Sequence, residues 1–195
     1  MRMAPFFLVS FLLLVGPLTF GAGGGNIDLD FGYREFSSDV FGAANDQGAF
    51  AVRFDFGGKI FRPAVGLSSS ASVARHELAI FQPFDDEASA FEASGGFLLS
   101  RFDKRTRPYF GAGLAWIWVK VELFESGLTT SDRDSGPGYY VNAGFVRTVG
   151  KETKVNYGVD ARYMVGPEID ILGQTGDADY FQIGFVVGFR SPPAN

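Results

Sequence analysis

The stretch Asp179–Arg190, DYFQIGFVVGFR, decides the fold of this chain. Large apolar residues stand at every second position, and most positions between them are glycine or polar. A period of two is typical of a β-strand, because successive side chains point to opposite faces. The apolar face consists of Phe181, Ile183, Phe185, Val187 and Phe189. The segment therefore predicts a strand whose two faces meet unlike surroundings.

Seven earlier segments alternate in the same way. They cover residues 26–36, 48–57, 60–68, 90–101, 108–123, 138–149 and 154–165. Consecutive strands of this kind, with no helical period between them, predict an antiparallel sheet. An eight-stranded up-and-down barrel is the closed form of such a sheet and leaves no unpaired edge. We therefore predict an all-β fold, with one antiparallel transmembrane β-barrel domain over residues 26–190.

The first 23 residues predict a secretory signal peptide. Arg2 supplies the positive start, residues 6–15 are apolar, and small residues fill positions 21–25. An apolar run of about ten residues is too short to cross a bilayer as a helix, which takes roughly 20. The chain has no cysteine, which excludes a lipoprotein anchor, a disulfide and a thiolate metal site. We expect cleavage between positions 21 and 25, and a short C-terminal tail at 191–195.

The connections between the predicted strands alternate in length. Tight turns are predicted at residues 57–59, 103–106 and 150–152, and long polar loops at 37–47, 69–89, 124–137 and 166–178. Short turns on one rim and long loops on the other are typical of outer-membrane barrels. The pattern predicts a bacterial outer-membrane protein with extracellular long loops and periplasmic termini.

Two of the tight turns predict the register of their hairpins. A two-residue loop at 58–59, and a turn centred between residues 104 and 105, place apolar residues opposite apolar ones and an acid opposite a base. The predicted pairs are Phe56 with Phe61, Asp55 with Arg62, Leu99 with Phe110, and Ser100 with Tyr109.

The apolar face is predicted to meet lipid rather than to line a soluble barrel of the lipocalin kind. The polar face contains almost no lysine, and strands of about ten residues suffice to cross hydrocarbon when tilted. Aromatic residues gather near the strand ends, as in the two interfacial girdles of membrane barrels. Towards the long loops these are Trp116, Trp118, Tyr139, Tyr163 and Phe181, and towards the short turns Phe56, Phe61, Phe110, Phe145 and Phe189.

The polar face predicts a charged barrel interior. An eight-stranded barrel is just wide enough for side chains to fill. The ionisable residues expected to point inward are Asp28, Asp30, Arg34, Arg53, Asp55, Arg62, Glu92, Asp160, Arg162 and Arg190. Buried charges require partners, so we interpret this set as an ionic plug. The alternative is a narrow ion path or a switchable gate.

The fifth predicted strand breaks the pattern near its end. Ile117, Val119 and Val121 are apolar at inward positions, whereas Lys120 and Glu122 face outward. One interpretation is that this end projects beyond the membrane or contains a bulge. The other is an apolar pocket at the extracellular mouth that accepts a small hydrophobic molecule.

The segments Arg107–Trp116, RPYFGAGLAW, and Tyr180–Phe189 resemble the small outer-membrane barrels of the OmpA transmembrane domain, OmpX and OmpW type. The resemblance implies that Phe185, Val187 and Phe189 form the assembly signal read by the barrel-assembly machinery. It also implies contact with outer-membrane lipid and lipopolysaccharide, and a small hydrophobic ligand if the chain is OmpW-like. The chain departs from the family in that residues 190–195 follow the last aromatic residue.

No catalytic residue, metal site or cofactor is predicted. The only histidine is His76, in a predicted loop, and the acidic runs at 85–87 and 131–134 lack the spacing of a calcium loop. The net charge of -5 argues against nucleic acid as a partner. The first hypothesis is therefore a non-enzymatic structural or surface barrel. The second is an OmpW-like transport barrel for ions or a small hydrophobic molecule, and an enzyme acting on lipid A ranks third.

Overall fold

A computed structural model describes residues 24–76, 84–101, 104–125, 128–150 and 154–191. The predicted signal peptide at 1–23 lies outside the described residues, and so does the predicted tail from residue 192 onward. No helix in the described ranges is both long enough and apolar enough to cross a bilayer.

Eight antiparallel strands close into a barrel. They are β1 Gly25–Phe36, β2 Asp46–Phe56, β3 Phe61–His76, β4 Phe84–Ser100, β5 Thr106–Glu125, β6 Leu128–Val149, β7 Lys154–Val165 and β10 Tyr180–Ser191. Each strand pairs with its neighbour in sequence, and β1 pairs with β10 to close the sheet. This confirms the predicted eight-stranded up-and-down barrel. Between β7 and β10 the chain forms a small separate hairpin of β8 Glu168–Ile171 and β9 Gln174–Asp177.

The two rims of the barrel differ. We call the rim with the connections at 57–60, 101–105 and 150–153 the turn rim, and the opposite rim the loop rim. β1 begins and β10 ends at the turn rim. A short 3-10 helix, Asp39–Ala44, and the β8–β9 hairpin both belong to the loop rim. They occupy the segments 37–47 and 166–178 that were predicted as loops.

The predicted loops at 69–89 and 124–137 are largely strand, so those predictions were wrong. β3 continues to His76 and β4 starts at Phe84, while only residues 126–127 separate β5 from β6. Beyond the barrel both faces of a paired strand can meet water, and the apolar alternation disappears there. The backbone hydrogen-bond ladder does not depend on that alternation, so pairing continues past the last apolar residue.

One of the two predicted registers is confirmed and the other is wrong. Leu99 lies opposite Phe110, as predicted. Asp55, however, lies opposite Ala64 instead of Arg62. The turn has four residues, 57–60, instead of two, so its centre falls one residue later than expected. It begins with Gly57 at a φ of 109°, a conformation that favours glycine. A shift of two in register keeps every side chain on its face.

The two faces of the barrel wall are the ones that the alternation predicts. Apolar side chains of the outer wall are exposed, among them Phe31 at 52 %, Phe185 at 51 % and Leu114 at 72 %. The inner face has polar residues along most strands. Glycine there allows close packing: an added Cβ at Gly144 would lie 2.4 Å from the ring of Tyr109. The inner face is therefore filled by large side chains packed over glycine.

Candidate functional site: a filled barrel lumen

The lumen contains a polar region and an apolar region. Polar side chains occupy the half near the turn rim and the middle, and apolar side chains occupy the part near the loop rim. The division follows from the sequence, because the inward positions of β1 and β7 are polar and those of β5 become apolar from Ala115 onward.

An ion pair between Asp55 and Arg62 lies nearest the turn rim. Arg62 Nε is 2.7 Å from Asp55 Oδ1, and both side chains are almost fully buried. Asn26 donates to both carboxylate oxygens of Asp55, at 2.8 and 3.0 Å. Arg62 also donates to the carbonyl oxygen of Gly24 at 2.9 Å. The predicted contact between Asp55 and Arg62 thus forms along the diagonal of the sheet, which long side chains can bridge.

Asn156 links this ion pair to the next group. Its amide nitrogen donates to Oδ1 of Asn26, the partner of Asp55, at 3.4 Å and to Asp28 Oδ1 at 3.1 Å, and its amide oxygen accepts from the hydroxyl of Thr148 at 2.8 Å. Arg107 donates to the same amide oxygen at 3.2 Å. A buried amide that both donates and accepts joins charged groups which lie too far apart to touch.

Arg53 lies between two carboxylates in the middle of the lumen. Its guanidinium nitrogens are 3.5 Å from Asp28 Oδ2 and 3.6 Å from Asp160 Oδ2. The Tyr109 hydroxyl accepts from Arg53 at 3.2 Å and donates to Asp160 at 2.5 Å. Asn142 donates to the same oxygen of Asp160 at 3.0 Å. This cluster spans the barrel from β1 and β2 to β6 and β7.

Glu92 is the centre of the next cluster towards the loop rim and is fully buried. It accepts from Arg162 at 2.5 Å and from the hydroxyl of Tyr180. The guanidinium carbon of Arg162 lies 3.7 Å from the centroid of the Tyr140 ring, a cation–π arrangement. Glu92 comes from β4, its two donors come from β7 and β10, and Tyr140 comes from β6, so the cluster joins opposite walls.

Arg34 is fully buried and is held by neutral groups. It donates to Gln182 Oε1 at 2.8 and 3.0 Å, to Ser68 at 2.9 Å and to Ser70 at 3.2 Å. Its guanidinium carbon is 4.0 Å from the centroid of the Tyr180 ring. Within the described ranges, no carboxylate lies at ion-pair distance from Arg34. It lies at an inward position, and its partners are amide, hydroxyl and aromatic groups.

Asp30 and Arg190 complete the predicted set. Asp30 points inward, and its Oδ1 atom has no hydrogen-bond partner among the described residues. It borders a lumen cavity of about 40 Å³, which is room for only a few water molecules. Arg190 is half-buried at the turn-rim end of β10, opposite Asn26 of β1 and Lys154 of β7.

The lumen network includes neutral residues that a search for charges leaves out. The tyrosines and amides that connect the ion pairs are Tyr109, Tyr140, Tyr180, Asn26, Asn142, Asn156 and Gln182. All of them stand at inward positions of the same alternation. That parity was the available signal, and it applies to neutral and charged residues alike.

Ile117, Val119 and Val121 lie in a closed apolar cluster near the loop rim. Each is at most 3 % exposed. Their inward positions agree with the prediction, and the strand continues past them without a break in pairing. The space beside them is filled by buried residues of the same cluster: Phe36, Phe41, Ala44, Ala88, Ala90, Ala115, Tyr140, Met164, Ile169, Ile171, Ala178 and Tyr180.

Two segments of the loop rim cover this cluster. Phe41 of the 3-10 helix stacks on Phe36, with ring centroids 4.1 Å apart, and Ile169 and Ile171 of the β8–β9 hairpin are buried to 1 % exposure. We call these two segments, residues 39–44 and 168–177, the lid. Since both contribute buried side chains, the lid is part of the hydrophobic core.

Two carboxylates of β6 hold the hairpin of the lid in place. Asp134 accepts from the backbone N–H of Asp170 at 2.9 Å, and Asp132 accepts from that of Leu172 at 2.8 Å. Leu172 has a φ of 55°, at the tip of the hairpin. The strand extension that the sequence did not predict therefore has a structural role: it places Asp132 and Asp134 against the lid.

The contact of Asp132 with the lid predicts a pH dependence. Backbone N–H groups of Leu172 and Arg133 favour the ionised form and lower the pKa of Asp132 below its ordinary value of 3.8. A carboxyl with a lowered pKa stabilises the folded state above its ordinary pKa, and this contribution is lost as the pH falls through the folded-state value. We expect the Leu172 amide resonance to titrate below pH 3.8 in an NMR experiment in micelles. Asp132→Asn should abolish that titration, and a midpoint at or above the ordinary value would contradict the assignment.

The outer wall has aromatic side chains near both rims. In the loop-rim half five aromatic side chains are exposed at the places predicted for them. They are Trp116 (44 %), Trp118 (43 %), Tyr139 (58 %), Tyr163 (44 %) and Phe181 (44 %). Phe56, Phe61, Phe110, Phe145 and Phe189 are exposed in the turn-rim half. Phe185 and Phe189 of the predicted assembly signal point outward, and Val187 is half-buried. Their roles as girdle and signal stay predictions.

In the part of the chain that the structure describes, no group of three or more metal-ligating side chains converges. The backbone of His76 ends β3, whereas it was predicted in a loop, and its side chain lies outside what the structure describes.

Comparisons with known proteins identify the fold. No family model matches the chain, and no curated protein matches its sequence. Among solved structures it is similar to the attachment invasion locus protein Ail of Yersinia pestis in complex with the heparin analogue sucrose octasulfate, with a TM-score of 0.58 and 13 % identity over 87 % of this chain and 99 % of that one. It is also similar to the outer membrane protein OprG of Pseudomonas aeruginosa, with a TM-score of 0.55 and 11 % identity. That alignment covers 88 % of this chain and 98 % of OprG. Neisserial surface protein A gives a TM-score of 0.53 and 15 % identity, over 87 % of this chain and 97 % of that protein's chain.

Proposed function

We propose that this chain, which has the fold of the small outer-membrane β-barrels, is a non-enzymatic outer-membrane protein with a closed lumen that acts through its surface. In this proposal the turn rim and both termini are periplasmic, and the loop rim is extracellular. The barrel-assembly machinery inserts the protein by reading the last strand, with Phe185, Val187 and Phe189 as its signal. Outer-membrane lipid and lipopolysaccharide surround the wall.

The outer wall supports the membrane placement. Large apolar side chains cover it, and a water-soluble protein rarely exposes so large a continuous apolar surface. Two rows of exposed aromatic side chains bound this surface, as expected where a barrel passes from hydrocarbon to head groups. Lys120 and Glu122 then lie beyond the row that contains Trp118, in the head-group region.

The filling of the lumen is the observation that carries the proposal. Three polar clusters and one apolar cluster follow each other along the axis. The Asp55–Arg62 pair joins the neighbouring strands β2 and β3, and the other clusters join strands from opposite walls. The cavity left among the polar clusters is about 40 Å³, far smaller than a path for solutes. A barrel closed at several levels is suited to a structural or surface role.

Single-channel recording in planar bilayers tests this proposal. We expect the full-length mature protein to show little or no stable conductance, because ions would have to cross both the apolar cluster and the ion-paired clusters. A denatured and refolded sample with the same gel mobility as the native protein serves as the control for insertion. Large and steady openings would overturn the closed-lumen proposal.

The charge of the loop rim limits the kind of surface partner. Exposed acids dominate this rim: Glu35, Asp46, Glu87, Glu168, Asp170 and Asp177. The Yersinia protein was crystallised with a sulfated sugar. An acidic rim repels such a polyanion, so we propose a different surface chemistry here, in which cationic groups or divalent cations lie between the rim and the phosphates of lipopolysaccharide.

The transport alternative would require the lid to move. Ile117, Val119 and Val121 could line an apolar pocket only if Ile169 and Ile171 left the cluster that they now fill. The same bilayer recordings and mass spectrometry of apolar molecules that co-purify with the protein separate the two proposals. A defined small hydrophobic molecule in the purified protein would favour transport.

A further inference from the structure

The turn rim has exposed charged side chains of one sign. Lys59, Arg101, Lys104, Arg105 and Arg147 are exposed, and Lys154 is half-exposed. Every exposed charged side chain that the structure describes at this rim is a cation. Asp103, Lys151 and Glu152 of the sequence lie outside the described residues.

The opposite rim has the opposite sign. Acids dominate there, and Lys120 and Arg133 are its exposed cations within the described ranges. Lys120 is already paired with Glu122. The barrel is therefore polarised along its axis.

The cations of the turn rim lie next to the aromatic row of the outer wall. Arg147 is two residues from Phe145 on the outward face of β6, a separation of about 7 Å along a strand. On the neighbouring strand, Phe110 is exposed above the turn that contains Lys104 and Arg105. An aromatic ring with a cation beyond it is the arrangement that side chains adopt where hydrocarbon meets a head-group layer.

We propose that the turn-rim cations Lys59, Lys104, Arg105, Arg147 and Lys154 form a collar that binds the phosphate head groups of anionic phospholipids. The inference rests on the proposed membrane placement, and it names the lipid class at one rim. Charge complementarity is the physical basis, since each lysine or arginine near an anionic membrane surface strengthens binding by about fivefold. The densest part of the collar lies between β4 and β6 and consists of Lys104, Arg105 and Arg147. A backbone hydrogen bond brings these residues close together, because the N–H of Thr148, next to Arg147, donates to the carbonyl of Arg105 at 2.7 Å.

Native mass spectrometry of the full mature chain in detergent micelles tests the collar. The probes are phosphatidylglycerol, which is anionic, and phosphatidylethanolamine, which is zwitterionic. We expect the wild type to retain more phosphatidylglycerol, and the ratio of the two to fall about a hundredfold in a Lys104→Gln, Arg105→Gln, Arg147→Gln variant. The matched control, Lys120→Gln with Arg133→Gln, removes two cations from the other rim and should leave the ratio unchanged.

Three outcomes would overturn the collar. They are equal retention of the two lipids by the wild type, an unchanged ratio in the triple variant, and an equal loss of ratio in the control variant. If the triple variant does not fold, a salt titration of the wild type replaces it. The ratio should then decline between about 50 mM and about 500 mM salt, as screening of exposed charges requires, and a ratio that is independent of salt would overturn the proposal.

The failure of this inference can be told apart from failure of the proposed function. A protein that fractionates with the outer membrane but shows no lipid preference overturns the collar alone. A protein found outside the outer membrane overturns the proposed placement, whatever its lipid preference in micelles.

Discussion

Replacing Glu92 by alanine is expected to lower the free energy of unfolding by about 3 to 5 kcal/mol, because removal of one partner leaves a buried charge uncompensated. Glu92 is fully buried and accepts from Arg162 and Tyr180. Without it, the Arg162 guanidinium keeps its contact with the Tyr140 ring but loses its carboxylate. Loss of this cluster should also separate β4 from β7 and β10 inside the barrel.

Urea unfolding in micelles, followed by tryptophan fluorescence, measures the effect. Glu87→Ala is the matched control, since Glu87 stands on the same strand but is exposed on the outer wall. We expect it to change the stability by less than about 0.5 kcal/mol, as surface substitutions usually do. Equal midpoints for Glu92→Ala and the wild type would show that the lumen cluster does not stabilise the barrel.

Replacing Ile169 by aspartate is expected to detach the hairpin of the lid from the barrel mouth. Burial of one isoleucine side chain contributes about 1.5 to 3 kcal/mol, and a carboxylate in its place would be buried without a partner. Asp132 and Asp134 are acceptors, so they cannot pair with a new acid and would repel it. The barrel strands should remain paired, because their ladder does not include the hairpin.

Hydrogen exchange followed by mass spectrometry checks this prediction. Exchange in a peptide covering residues 166–179 should become faster by at least about tenfold, the factor that corresponds to 1.4 kcal/mol, while peptides of β1 and β5 stay protected. Thr175→Asp adds the same charge at an exposed position of the hairpin and serves as the control. If both variants exchange alike, Ile169 does not anchor the lid.

The candidate site was predictable in its membership and not in its contacts. Parity along each strand places Asp28, Arg53 and Asp160 inside, and in the structure Arg53 lies between the two carboxylates, with Tyr109 bonded to Arg53 and Asp160. Which acid meets which base depends on how neighbouring strands are staggered around a closed barrel. The four-residue turn at 57–60 illustrates this: its centre moved by one residue, and Arg62 reached Asp55 along a diagonal.

The final strand 179–190, with its strict alternation, shows what the sequence by itself determined. Side-chain parity is a local property of an extended backbone, so eight alternating segments specify the strands, their inner and outer faces, and the closed antiparallel sheet. The tertiary structure alone decided the closure of the mouth. That closure brings together Phe41, Ile117 and Ile169, and no local pattern in the sequence encodes contacts between segments so far apart along the chain.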